Sequence, residues 1–261
     1  MKKQLLLFAI FISNVLIHSL SAQNKDAFQS GEWLRFKVRY GIFNASFATL
    51  EVKEDTYNGE KVFHAVGKGS TTGLARVFFR VDDVYESYFS KKDGLPRYFI
   101  RNIHEGGYTK HLKVTFDHDK NKAKINNVKN DTITYLATTP GIHDLISGVY
   151  ALRNRPELDN IQNGQEIGMD MLFDDDELFN FRLKFIGKEN VKTSFGTIPT
   201  MIFRPLVKDG RVFKEQESLT VWISDDANRV PVKVRASLRV GSLVAELNDF
   251  KGLKHPTLLK K

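Results

Sequence analysis

The sequence contains no cysteine. Disulfides, thiol nucleophiles, thiolate metal sites and a lipidated N-terminal cysteine are thereby excluded. Proline is scarce, with 7 among 261 residues, and no proline-rich linker or internal repeat divides the chain. The phosphate-cradling G-x-G-x-x-G and P-loop patterns are missing, as is the G-x-S-x-G of a nucleophile elbow. Past the N-terminus no apolar run approaches the ~20 residues of a spanning helix. What is present is an ordinary folding composition, 41% apolar and 27% charged. A chain of this length buries roughly 70–75% of its unfolded surface, enough for a core without cross-links. The charge of +8 is spread along the chain rather than gathered into a patch with interleaved aromatics, which argues against nucleic-acid binding.

The first residues read as a targeting segment. Lys2 and Lys3 precede an apolar run, Leu5 to Ile12, which resumes at Val15–Ile17 after Ser13 and Asn14. Small residues Ser21 and Ala22 follow. This pattern predicts a secretory signal peptide over 1–22, cut near Ala22/Gln23, and an exported, periplasmic chain that is soluble after cleavage. Residues 23–261 then form a single β-rich domain.

Period-2 alternation runs through the rest. Leu34, Phe36, Val38 and Tyr40 alternate with Arg35, Lys37 and Arg39, which places the first set inward and the second in water. Ala45–Val52 continues the pattern up to the Asn58-Gly59 turn. Further strands are predicted at Val62–Gly67, Val84–Phe89, Arg97–His104, Tyr108–Phe116, Ala123–Val128, Thr132–Leu136, Glu166–Phe173, Leu178–Ile186, Ile198–Pro205, Glu217–Ile223, Pro231–Leu238 and Leu243–Asn248. The connections carry turn residues, as in "KKDGLP" at 91–96, "DHDKN" at 117–121, "KDGR" at 208–211 and "SDDANR" at 224–229. Their shortness implies antiparallel neighbours. Thr72 starts a short turn through Gly73–Phe79. One substantial helix is predicted at Ile142–Arg153, where Ile142, Leu145, Ile146, Val149 and Leu152 recur at helical spacing before Pro156. The fold class is therefore mainly β: a large curved antiparallel sheet, forming a half-open or closed barrel, with one inserted α-helix. A sheet of about a dozen strands cannot stay flat.

Chemical motifs are weak. His104, His111 and His118 recur every seven residues, and on strands an odd spacing sends successive rings to opposite faces, so no metal site is expected. Asp174–Glu177 lacks the spaced ligands and turn glycine of a calcium loop and reads as a solvated acidic loop. His143, Asp144 and Ser147 lie near one another on the helix but lack a strained turn and an oxyanion hole, so no catalytic residue is expected and no enzyme. No cofactor is implied. The most informative excess is aromatic: 20 Phe, 8 Tyr and 2 Trp. In a half-open barrel such rings fill the core or line an apolar pocket. Phe79, Tyr85, Phe99 and Trp222 are the predicted lining of a ligand site beneath the helix. Asp131-Thr132-Ile133 resembles an Asp-Ser/Thr-apolar acceptor pattern, which marks Thr132 for O-glycosylation.

The strings "GEWLRFKVRYGIFNASFATLEV" (31–52), "VDDVYESYFSKKDGLPRYFIRNIHEGGY" (81–108), "HDLISGVYALRN" (143–154), "GKENVKTSFGTIPTMIFRP" (187–205) and "LTVWISDDANRVPVKVRASLRVGSLVAEL" (219–247) resemble the exported bacterial family named domain of unknown function 3108. That family is similar in architecture to the LolA/LolB-like envelope proteins. The resemblance implies a curved half-barrel sheet that holds lipid or acyl chains, and it assigns no catalytic residues. Two functions follow as expectations: an envelope protein that carries an apolar or lipid ligand in the concavity of its sheet, or a structural adaptor that works through contacts with an envelope protein partner.

Overall fold

Among the described residues fourteen strands form one antiparallel sheet, ordered β8-β7-β6-β5-β4-β3-β2-β1-β14-β13-β12-β11-β10-β9. The computed structural model describes residues 26–174, 177–206, 219–238 and 241–260. The strands are β1 (Trp33–Tyr40), β2 (Phe43–Tyr57), β3 (Glu60–Thr71), β4 (Asp82–Ser90), β5 (Pro96–Glu105), β6 (Tyr108–Asp117) and β7 (Lys122–Asn127), followed by β8 (Thr132–Ala137), β9 (Glu166–Leu172), β10 (Leu178–Thr193), β11 (Gly196–Pro205), β12 (Leu219–Ser224), β13 (Pro231–Ser237) and β14 (Ser242–Lys251). A short helix α1 (Gly73–Phe78) joins β3 to β4, and α2 (Leu145–Arg153) lies between β8 and β9. The sequence-predicted strands coincide with these fourteen. The signal segment with its cleavage point, "KDGR" at 208–211, the start of the Glu217–Ile223 strand and Asp175–Asp176 lie outside the described residues.

Consecutive strands pair as hairpins, and β1 pairs with β14, which joins the two halves. The sheet is not closed: β8 and β9 stand at its two edges. The chain entering α2 lies along the β9 edge. His143 N donates to Asp170 O and Leu172 N donates to His143 O, a parallel bridge that satisfies edge groups.

Inward alternation is clean where one face meets the helix. On β5 to β7, Phe99, Ile103, Leu112, Val114, Phe116, Ala123 and Ile125 are buried. All of these but Ile103 join Phe28, Phe63, Phe89, Ile142, Ile146, Tyr150 and Leu172 in one core. A second core gathers Leu34, Ile198, Val232, Leu247 and Phe250 near the β1–β14 junction. A third packs Leu158, Ile161, Phe185, Met201 and Phe203 beneath β9 to β11.

On β1 the expected alternation fades. Leu34 is fully buried and Phe36 packs on the second core, but Tyr40 is exposed. Bulges in both neighbours face this strand, with Asn248 the extra residue on β14 opposite Arg35/Phe36 and Ala45 the extra residue on β2 opposite Val38/Arg39. Strand β10 runs past its predicted end at Ile186, because a register shift between Phe185 and Gly187 lets pairing continue while the alternation slips. The helix starts three residues later than its periodicity suggests. Asp144 caps it, so Ile142 is buried as extended chain.

Candidate functional site

The site is built around α2. Asp144 Oδ1 accepts from Ile146 N and Ser147 N at 2.8 Å each, and Ser147 Oγ accepts from Asp144 N, a reciprocal capping box. Ser87 Oγ on β4 donates to Asp144 Oδ2 at 2.6 Å, which fixes the helix start to the sheet. Two glycines permit the close docking. A Cβ at Gly67 on β3 would stand 3.0 Å from Ile146 Cδ1, and one at Gly148 would stand 3.1 Å from Met171 Cε on β9. At the helix end Arg153 is buried and donates to both carboxylate oxygens of Glu32, at 2.6 and 2.7 Å. It also donates to the carbonyls of Ala27 and Asn228. Burial opposes its charge, but the Glu32 carboxylate outweighs that cost and raises the guanidinium pKa.

Beside the C-terminal half of α2 lies a half-open cleft of about 560 Å³. That volume falls within the range of small-molecule sites. Four rings form its floor. Phe28 packs on Phe63 at 5.2 Å and on Tyr150 at 4.5 Å, and Phe89 packs on Tyr150 at 5.5 Å. The rim is polar: Asp26, Lys91, Lys92, Asp93, His143, Asn154, Arg155 and Asp170. Burial, with the charges of His118 and Arg155, lowers His143 to about 4, so this ring is neutral at pH 7. Burial raises the Tyr150 hydroxyl, which therefore stays protonated. Tyr150 Oη and Arg155 Nε are buried without a hydrogen-bond partner among the described residues, and both residues line the cleft. Two buried donors of cleft-lining residues thus have unused hydrogen-bonding capacity.

The four rings chosen from sequence do not share a site. Tyr85 and Phe99 come together, with centroids 6.5 Å apart, within the core on which the helix docks. Phe79 is exposed at the end of α1, because α1 sits at the tip of the sheet rather than on its concave face. Trp222 stands on β12, in the other half of the sheet. Its Nε1 donates to Glu189, and Lys233 lies over its ring. None of the four lines the cleft. The space beneath the helix is filled by Ile146, Tyr150 and Phe99, so open volume lies beside α2, not under it. Phe28, Glu32 and Arg155 gave no signal in sequence, since they sit outside the periodic elements. Phe63 and Phe89 were legible only as inward strand positions.

Thr132 is exposed, just after the turn at Asp131, and opens the edge strand β8. The acidic loop differs from its solvated reading at Asp174, which pairs with Lys110 and with Arg101 Nη1 at 3.3 Å. Arg101 points inward from β5, its side chain 9% exposed, and a cation so placed requires a counter-charge. This contact ties the β9–β10 connection to β5 and β6. His143 Nδ1 lies 3.2 Å from Ser147 Oγ, while the Asp144 carboxylate is engaged by Ser87 and the helix backbone. Among the described residues no three His, Asp or Glu side chains gather as a metal site. None of the helices there is long and apolar enough to cross a membrane.

One solved structure shares this fold. A β-barrel-like protein of domain of unknown function 1849 from Brucella abortus aligns over 86% of this chain and 98% of its own, with a TM-score of 0.54 and 7% identity. A DUF1089 family protein from Pseudomonas aeruginosa aligns over 84% and 95%, with a TM-score of 0.40 and 11% identity. A protein provisionally described as exported, from Bacteroides fragilis, aligns over 86% and 97%, with a TM-score of 0.32 and 9% identity. No curated protein matches the sequence significantly. The profile of the family described as "Protein of unknown function (DUF3108)" matches residues 35–248, from β1 to β14, and the chain belongs to that family.

Proposed function

We propose that the protein is an exported cell-envelope protein that binds an amphiphilic ligand in the cleft beside α2. The observation that carries this reading is the cleft itself: an aromatic floor of Phe28, Phe63, Phe89 and Tyr150 under a charged rim. An acyl or other apolar part would lie on the rings and a polar head at the rim. Lys92 stands exposed there to meet an anionic group. Each buried methylene contributes up to ~0.8 kcal/mol, so a medium acyl chain supports micromolar affinity after association costs. The role is binding or carriage rather than catalysis. Asp144, the carboxylate nearest the His143–Ser147 pair in sequence, is already committed to the helix cap and Ser87.

Titration with a fluorescent fatty acid tests the reading. Wild type should bind at micromolar concentration. Ala151→Trp, which fills the cleft from the helix side, should abolish binding without lowering the melting temperature. No binding by wild type, or equal binding by the variant, contradicts it.

A second reading, an adaptor acting through an envelope protein partner, draws on β8. That strand is exposed over nearly its whole length and stands at the sheet edge, where an added strand could pair. A partner bound this way should be lost on Tyr135→Pro, whose N–H faces the open edge, and kept on Ala151→Trp.

A further inference from the structure

Basic residues are spread along the chain, but the sheet gathers several of them. Lys37 on β1 and Lys233 on β13 both stand opposite Glu246 on β14. Directly opposed residues share a face, so these three side chains form one row. Arg39, two residues beyond Lys37, points to the same face. The β13–β14 pairing ends at Lys233 and Glu246, and the β10–β11 turn closes in where it stops. Phe195 of that turn packs edge-on against Phe250 of β14, with centroids 5.3 Å apart, and shares the second core with Val232 and Leu247. Lys192 and Ser194 of the same hairpin thereby border, with the row, one pocket of about 200 Å³. Val232 and Leu247 also line it and are 1% and 3% exposed, so the pocket has a packed wall and is not an open patch of lysines.

Its charge is unbalanced. Among the described residues that line it, Lys37, Arg39, Lys192 and Lys233 are cations and Glu246 alone is a carboxylate. Glu246 is already shared between Arg39 at 2.5 Å and Lys233 at 3.8 Å. Lys37 and Lys192 form no ion pair among the described residues. The surroundings do not cancel the surplus. Asp225 pairs with Lys188 at 2.7 Å, Glu189 accepts from the Trp222 indole, and Asp249 stands opposite Arg35. Arg235, reached from Arg39 through Val244 on the ladder, adds a further cation. Uncharged donors complete the wall. Asn248 Oδ1 accepts from Arg35 Nε and Nη2 at 3.1 and 2.7 Å, which leaves the amide nitrogen as a donor, and Ser194 brings a hydroxyl.

We propose that this pocket binds a phosphate group, free or carried by a small phosphorylated molecule. A phosphate monoester carries about two negative charges at neutral pH and three acceptor oxygens. Lys37 and Lys192 meet that charge as point cations, and the amide and hydroxyl meet further oxygens. The volume is smaller than that of drug-sized sites, which suits a compact headgroup rather than a long chain. The pocket shares no lining residue with the cleft beside α2, and the inference does not depend on the cleft being a ligand site.

Isothermal titration calorimetry of the full chain with inorganic phosphate and with glucose 1-phosphate, at constant ionic strength, tests it. Wild type should bind one equivalent, and its melting temperature should rise with the ligand. Tighter binding of the sugar phosphate assigns the pocket to a phosphorylated molecule, and equal or weaker binding assigns it to free phosphate. The double variant Lys37→Gln, Lys192→Gln should bind at least about tenfold more weakly. Without ligand it should melt as wild type does, since neither lysine is buried or ion-paired. Lys37→Arg, Lys192→Arg should retain binding. The control Lys122→Gln, Lys124→Gln on exposed positions of β7 should bind as wild type does, as should Ala151→Trp. No binding of either ligand by wild type, or equal binding by wild type and the Lys37→Gln, Lys192→Gln variant, overturns the proposal. So does an equal loss in the β7 control, or a loss in Ala151→Trp, which would place the anion at the cleft.

Discussion

His143 and Asp144 are adjacent in sequence and titrate in opposite senses. An unfolded carboxylate titrates near ~3.9 and an imidazole near ~6.5. Burial raises Asp144 to about 6, so from about pH 4 to 6 the native state holds the extra proton and stability falls as pH rises. Burial lowers His143 to about 4, so over nearly the same window the unfolded state holds the extra proton and stability rises with pH. Each contribution is about 3 kcal/mol, and they nearly cancel. Urea titrations of wild type should therefore be almost flat in this window. Asp144→Asn keeps a capping side chain and should show stability rising with pH, whereas His143→Gln should show it falling. Parallel profiles for the two variants contradict the assignment. The same residues show where sequence reading stops. The His143–Asp144–Ser147 proximity was visible, but the partner that decides the role of Asp144 is Ser87, 57 residues away. Phe79 and Phe99 make the same point: both were aromatic and near the inferred helix. Phe99 is 2% exposed and Phe79 55%. Phe99→Ala should cost about 3–5 kcal/mol, and Phe79→Ser should change stability by within about 0.5 kcal/mol.

At the level of elements, strands were legible and their closure was not. Alternation located each strand because a one-residue slip would turn every inward side chain to water. It faded on β1, whose two neighbours bulge against it, and slipped at the register shift of β10, where Ile186 is an extra residue against β11. The helix was legible in its apolar spacing, and its true start was written in the Asp144-x-x-Ser147 capping box. What could not be read is how α2 is held. Glu32, Ala27 and Asn228 converge on Arg153 from far along the chain. Arg153→Met should destabilise by about 3–5 kcal/mol, because it leaves Glu32 as a buried unpaired carboxylate. Adding Glu32→Gln should recover much of that loss, and a double variant no more stable than the single one contradicts a paired role. Gly148→Val should push α2 from β9 and lower the melting temperature, since its side chain would enter space held by Met169 and Met171.

Across the whole molecule, one curved open sheet presents two unlike ends. One end carries the cleft and the α2 anchor; the other carries exposed rings on α1 and the β1–β2 turn together with the acidic β9–β10 connection. Composition predicted an aromatic excess but not its division between a packed concave core, a cleft floor and an uncovered rim, since that division depends on which turns share an end. The central claim is that the cleft holds an amphiphile. Native mass spectrometry of the protein purified from its own cell envelope tests this most directly. Wild type should carry a bound amphiphile as a discrete added mass that gentle activation releases, and Ala151→Trp purified in parallel should appear at the bare polypeptide mass. Wild type at the bare mass, or an added mass that persists undiminished in Ala151→Trp, would contradict the account.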